Sequence, residues 1–128
     1  MAVDRLTRTP APVVPGLSNS VRVKAGDLLF VSGQVGFEKD GAVPESFERA
    51  VELTYEELVR ALNAGDASVQ DLVRVNVYIT QLDQEKLAIW RRVRDSIVDA
   101  AAPSASTVIG VHSLYNGAPI EIDAIAAI

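Results

Sequence analysis

Ala102-Pro-Ser-Ala-Ser-Thr-Val-Ile-Gly-Val111 and Ile120-Glu-Ile-Asp-Ala-Ile-Ala126 decide how this chain folds. Pro103 stops any helix arriving from upstream, because its ring removes a donor and crowds the preceding turn. Beyond it, β-branched residues and period-2 alternation predict two strands, at about 104–112 and 120–127, joined by a loop holding Asn116-Gly117 and Pro119. In the second strand Glu121 and Asp123 fall on one face and Ile120, Ile122 and Ala124 on the other. A solvated strand face accounts for the two acids on periodicity alone. A carboxylate held in a cleft, where it orients a water or takes its proton, is the functional reading of the same pattern.

Working back from that pair, Leu72-Val-Arg-Val-Asn-Val-Tyr-Ile79 reads as a long β-branched strand. A helix is predicted between it and Pro103, at about 84–98, with Leu87, Trp90, Val93 or Arg94, and Ile97 as its buried stripe. Another helix starts at Phe47 behind the cap Ser46 and ends at Gly65. Its stripe is Phe47, Val51, Leu58 and Leu62, filled in by Ala50, Thr54 and Ala61, with Glu48, Glu52, Glu56 and Glu57 outside. Ahead of it, 20–24 and 28–32 read as strands joined in a hairpin by the turn Ala25-Gly-Asp27. Pro10, Pro12 and Pro15 make residues 1–19 an extended arm.

The order β-β-α-β-α-β-β argues an α+β fold, one mixed sheet with both helices on one face. The other face is expected to expose Val75, Val77 and Ile79 or their neighbours, and so to drive association of copies through the open sheet. At 128 residues the chain makes one domain, spanning 1–128. With 48% hydrophobic residues but only 5% aromatics, its core is built from Val, Ile, Leu and Ala.

Composition excludes several chemistries. There is no cysteine, so no disulfide framework and no thiolate nucleophile or ligand. That suits a cytoplasmic protein. No charged-then-apolar leader and no long apolar run is seen, so neither a signal peptide nor a membrane association is expected. A net charge of −5 repels phosphate backbones, and the only basic clusters are Arg91-Arg92-Val-Arg94 and scattered Arg5 and Arg8, so nucleic acid is not an expected partner. His112 is the single histidine, too few ligands for a metal site. It sits beside Ser113 at a strand end, where a surface histidine is the simpler reading than a nucleophile–base pair. Ser32-Gly-Gln-Val-Gly36 lacks the lysine and the following helix of a phosphate loop.

Taken together, Gly26-Asp-Leu-Leu-Phe30 followed by Val31-Ser-Gly-Gln34, the Val75-Asn-Val-Tyr-Ile79 strand, Pro103-x-x-Ser106 and Ile120-Glu-Ile-Asp-Ala-Ile-Ala126 resemble the RidA/YjgF family, also labelled endoribonuclease L-PSP. The resemblance covers about residues 14–127. It implies a chorismate-mutase-like α+β fold and a homotrimer whose sheets pack around a central barrel, with ligand clefts between subunits. Its best-known members hydrolyse reactive imines and enamines, such as 2-aminoacrylate, to 2-keto acids and ammonia without metal or cofactor. By the same resemblance Glu121 is the catalytic residue that positions water, and Ser32 and Ser106 match cleft serines. Thr107 stands where RidA proteins have cysteine, Ala105 where they have the arginine that grips the substrate carboxylate, and Leu17 near the aromatic that covers the cleft.

These departures point to a branch outside RidA proper. The expected activity is a small-molecule hydrolase or deaminase whose specificity has moved from 2-imino acids. The face Ala105, Thr107, Ile109 reads as small and apolar, which suggests a substrate of less charge or different shape. The alternative is a ligand-binding trimer without turnover. An endoribonuclease is the weakest reading, since RNA cleavage wants a His or Lys acid–base pair beside basic phosphate contacts. Should Glu121 not be the site, His112 and Tyr115 are the next candidates.

Overall fold

The first helix forms where cap, stripe and stop signal agree. In the computed structural model, which describes residues 5–128, α1 runs Phe47–Ala64. The Ser46 hydroxyl accepts from the Arg49 amide at 3.1 Å, and Gly65 caps the far end. Ala50, Val51, Thr54, Tyr55, Leu58 and Leu62 form its buried face. The second helix, α2, spans Gln84–Ile97 behind an Asp83 cap and buries Trp90, Val93 and Arg94. The two are bolted together where the Trp90 indole donates to the Tyr55 hydroxyl at 3.0 Å. Burial raises the Tyr55 phenol far above its ordinary value, so it stays neutral. Among the described residues no helix is long and apolar enough to cross a membrane.

The strands are β1 (Leu6–Pro10), β2 (Ser18–Val23), β3 (Leu28–Gln34), β4 (Leu72–Thr80), β5 (Ala105–Val111) and β6 (Ile120–Ala127). They form one mixed sheet in the order β1-β2-β5-β4-β6-β3. β4 and β5 run parallel, which needs a crossover connection, and α2 supplies it. β6 is antiparallel to both β4 and β3. The core lies between the sheet and the helices: Val75, Val77 and Ile79 from β4 and Ile120, Ile122, Ala124 and Ala126 from β6 pack under Leu58, Leu62 and Trp90.

Three expectations are corrected. The strands around 20–24 and 28–32 do not pair as a hairpin. β2 pairs with β1 and meets β5 at Ser18 opposite Ala105, whereas β3 pairs with β6. Apolar β3 gains most beside β6 under α1, while polar β2 has little to bury. Arg5 holds the link between them, donating to the carbonyl oxygens of Lys24 at 2.6 Å and Ile128 at 2.6 Å, and to that of Asp27. Second, the extended arm contains a strand, because Leu6–Thr9 precede the first proline and Pro10 sits only at the strand's end. Residues 1–4 of that arm lie outside the described residues. Third, Val75, Val77 and Ile79 face the helices, not the open side. The open face of β4 carries their polar neighbours Arg74, Asn76 and Tyr78.

Candidate active site

Period-2 alternation places six polar side chains on the open face, and the register orders them into rows. β4 is the middle strand. Arg74 pairs with Ala105 on one side and Ile125 on the other, Asn76 with Thr107 and Asp123, and Tyr78 with Ile109 and Glu121. Apolar Ala105, Ile109, Ile125 and Phe30 therefore frame a polar centre of Arg74, Thr107, Asn76, Asp123, Tyr78 and Glu121.

The two acids have different surroundings. Asp123 is fully engaged: Asn76 Nδ2 donates to Oδ1 at 2.9 Å and the Tyr78 hydroxyl donates to Oδ2 at 3.0 Å. That hydrogen bond, followed by desolvation and the charges of Asp123 and Glu121, raises the Tyr78 phenol above its usual value, while Arg74 pulls it the other way. Tyr78 thus stands within electrostatic reach of all three charged groups. Glu121 is half-buried, and among the described residues its carboxylate has no hydrogen-bond partner. It is free to bind water.

Its position is set by β3. The pairing of β3 with β6 is irregular between Val31 and Gln34, and a bulge of this kind re-aims neighbouring groups. A Cβ on Gly33 would lie 2.7 Å from the Glu121 carboxyl carbon and closer still to Oε2. Only glycine lets the carboxylate lie against that backbone. Ser32 is exposed beside it, its carbonyl accepting from Gln34 Nε2 at 3.1 Å.

Of the residues singled out in the sequence, Glu121, Ala105 and Thr107 share the open face, with Ser32 at its β3 edge. Ser106 and Leu17 do not. They line a separate cavity of about 230 Å³ between α2 and β5, with Leu87, Trp90, Arg94 and Val108. There the Ser106 hydroxyl shares a hydrogen bond with Ser104 at 3.1 Å. The Arg94 guanidinium stacks on Trp90 at 4.8 Å and pairs with Asp95 at 2.8 Å. His112 and Tyr115 are exposed in the loop after β5, where the Tyr115 ring meets Phe37 edge-on. Among the described residues no cluster of His, Cys, Asp and Glu could hold a metal ion.

Arg74, Asn76 and Tyr78 were missed. Their signal was present as the polar alternates of a strand read only for its β-branched residues. The face is also not simply apolar, since Arg74 Nη2 donates to Thr107 Oγ1 at 2.6 Å and so brings a cation onto it.

A family profile described as endoribonuclease L-PSP matches residues 9–128. The RutC family protein YjgH of Escherichia coli (strain K12) is 34% identical over 109 residues, 85% of this chain and 82% of that one. The 2-iminobutanoate/2-iminopropanoate deaminase of Dermatophagoides farinae is 25% identical over 130 residues, 100% of this chain and 99% of its own. The solved structure of YyfB from Yersinia pestis, a protein of unknown function of the conserved Rid family, has a TM-score of 0.86 at 25% identity and covers 97% of this chain and 99% of that one.

Proposed function

The chain belongs to the RidA/YjgF family, and from that premise we propose that it hydrolyses an imine or enamine on the open sheet face, with Glu121 as the group that activates water. The single observation that carries this reading is the Glu121 carboxylate, unpartnered among the described residues and seated against Gly33. A water bound to it is a nucleophile for a C=N carbon. Glu121 takes the water proton as the C–O bond forms and delivers it to nitrogen, and the tetrahedral adduct collapses to a carbonyl and ammonia. An enamine enters the same route after protonation on carbon. The step consumes one water and needs neither metal nor cofactor. A deaminase of 2-imino acids among the relatives supports the reaction class. The specificity is its own, because Ala105 and Thr107 shape the face differently from the residues that the resemblance leads one to expect.

The site is proposed to close between copies in a homotrimer. Phe30 is 70% exposed and Ile109 46% exposed on the rim of the polar centre, an apolar frame suited to burial while the centre stays a cleft. The cysteine-free composition suits a reducing compartment such as the cytoplasm. An RNA-cleaving role has little support: an acidic chain with one histidine offers little for an acid–base pair beside phosphate contacts.

The test is ammonia release from imines and enamines generated in situ, with the oligomer's mass read by light scattering on the same sample. Acceleration over the uncatalysed rate by a trimeric species is expected. A folded protein that binds such compounds but accelerates none of them would instead establish the ligand-binding alternative.

A further inference from the structure

The Tyr78 hydroxyl has two carboxylates to choose from. Tyr78 is half-buried and stands opposite Glu121 in the β4–β6 ladder, where cross-strand side chains meet. Its hydrogen nevertheless goes to Asp123 Oδ2 at 3.0 Å, one row further along. Asp123 is itself steadied by Asn76 Nδ2, which donates to Oδ1 at 2.9 Å. A phenol hydroxyl has one hydrogen to give and lone pairs to accept with. The hydrogen is spent on Asp123, and among the described residues nothing donates to the Tyr78 oxygen. The charged groups around this hydroxyl are Asp123 and Glu121 on β6 and Arg74 on β4. Neither β3 nor β5 carries a charged residue. With its phenol raised above the ordinary value, Tyr78 stays neutral near pH 7 and does not compete with Glu121 as a base.

That choice decides what Glu121 can do. A hydroxyl hydrogen given to a carboxylate makes a short, strong contact. On Glu121 it would occupy the oxygen that has to take a proton from water. An attacking water carries two O–H bonds, and its lone pair is aimed only when both are held. Glu121 holds one. The second needs a neutral acceptor beside Glu121, and the Tyr78 oxygen, across the ladder with its own hydrogen turned away, has that character. We propose that Tyr78 is a positioning residue for the attacking water: Asp123, fixed by Asn76, keeps the hydroxyl hydrogen off Glu121, and the Tyr78 oxygen accepts the second hydrogen of the water. No proton passes to or from Tyr78. Glu121 alone takes the water proton as the C–O bond forms. The inference rests on the hydrolytic reading of the open face, and it gives the row Asn76, Asp123 and Tyr78 the task of leaving Glu121 free.

The experiment has two readouts, and the first needs no turnover. Tyrosine-ring carbon-13 signals are followed from pH 7 to 12, with Tyr78 assigned by its loss in Tyr78→Phe. Asp123→Ala leaves no oxygen at that position, whereas Asp123→Asn would keep one. In Asp123→Ala the hydroxyl should swing to Glu121, so the Tyr78 titration stays raised. It should fall to the ordinary phenol value of about 10 only when Glu121→Gln is added. The second readout is ammonia release from 2-iminopropanoate, generated in situ from D-alanine by an amino-acid oxidase. Tyr78→Phe should lower kcat about three- to tenfold with KM little changed, the span of one neutral hydrogen bond. Asp123→Ala should lower kcat further, because the freed hydroxyl then blocks the base. Adding Tyr78→Phe to Asp123→Ala should bring kcat back up to the level of Tyr78→Phe alone, a recovery that a purely structural role for Asp123 would not give. A Tyr78 titration that drops to the ordinary value in Asp123→Ala alone overturns the proposal, as does a native kcat in Tyr78→Phe or a double variant no faster than Asp123→Ala. A native protein that hydrolyses no imine overturns the hydrolytic reading instead, and the titrations then decide by themselves whether Asp123 holds the hydroxyl off Glu121.

Discussion

Glu121→Gln is expected to lower imine hydrolysis by about a hundredfold or more, the usual contribution of a positioned general base. The variant keeps the size of the side chain and its place on β6, and the buried face of that strand, Ile120, Ile122 and Ala124, is untouched. The fold and the oligomer should therefore be unchanged by circular dichroism and light scattering. Two companions sharpen the result. Gly33→Ala retains the carboxylate but pushes it off the β3 backbone, where the added Cβ would lie 2.7 Å from its carboxyl carbon, so turnover should fall without the base being lost. Asp123→Asn alters an acid whose oxygens already serve Asn76 and Tyr78, and its effect on rate should be the smallest of the three. Native turnover in Glu121→Gln would send the search to His112 and Tyr115.

Ile122→Ala should destabilise the protein by about 2–5 kcal/mol, the range for deleting most of a buried aliphatic side chain and leaving a cavity. Ile122 is 0% exposed. It lies in the β6 register opposite Val77 on β4 and Gln34 on β3, so three strands converge on it. Against a total stability of about 5–15 kcal/mol for a domain of ordinary size, that loss is large. Urea unfolding should show a lower midpoint at an unchanged slope. Ile122→Val, which removes one methylene, should cost only about 0.5–1.5 kcal/mol. A loss below 1 kcal/mol for the alanine variant would mean that this face of β6 is not packed as described. Because Glu121 and Asp123 flank Ile122, the same variant should also loosen the site.

Where the sequence carried a period, the structure could be read from it. Most of the α1 stripe (though not its buried Tyr55), the Ser46 cap, the Gly65 stop and the bounds of β6 follow from spacing and local chemistry alone. The division of β6 into an acid face and an apolar face is of the same kind. Pairing between strands is not local, and there the reading failed. The turn at Ala25-Gly-Asp27 looks like a hairpin turn, yet the partner of each strand is decided by what it can bury, and β6 serves β3 better than β2 does. The prolines obscured β1, although Pro10 only ends the strand and Pro12 and Pro15 follow it. At the site, Ala105, Ser106 and Thr107 were grouped by resemblance, although consecutive residues of a strand point to opposite faces. That rule alone separates Ser106, which lies on the helix side with Leu17. It also reveals Arg74, Asn76 and Tyr78 once Val75, Val77 and Ile79 are assigned to the core.

The proposed chemistry requires that the open sheet face receive the ligand. The direct measurement is chemical-shift mapping of the isotope-labelled protein titrated with 2-oxobutanoate. Shifts concentrated at Gly33, Arg74, Thr107 and Glu121, with the Trp90 indole unmoved, are the predicted result. Shifts confined to Leu87, Trp90 and Arg94 in the cavity between α2 and β5, with the open sheet face silent, would contradict it.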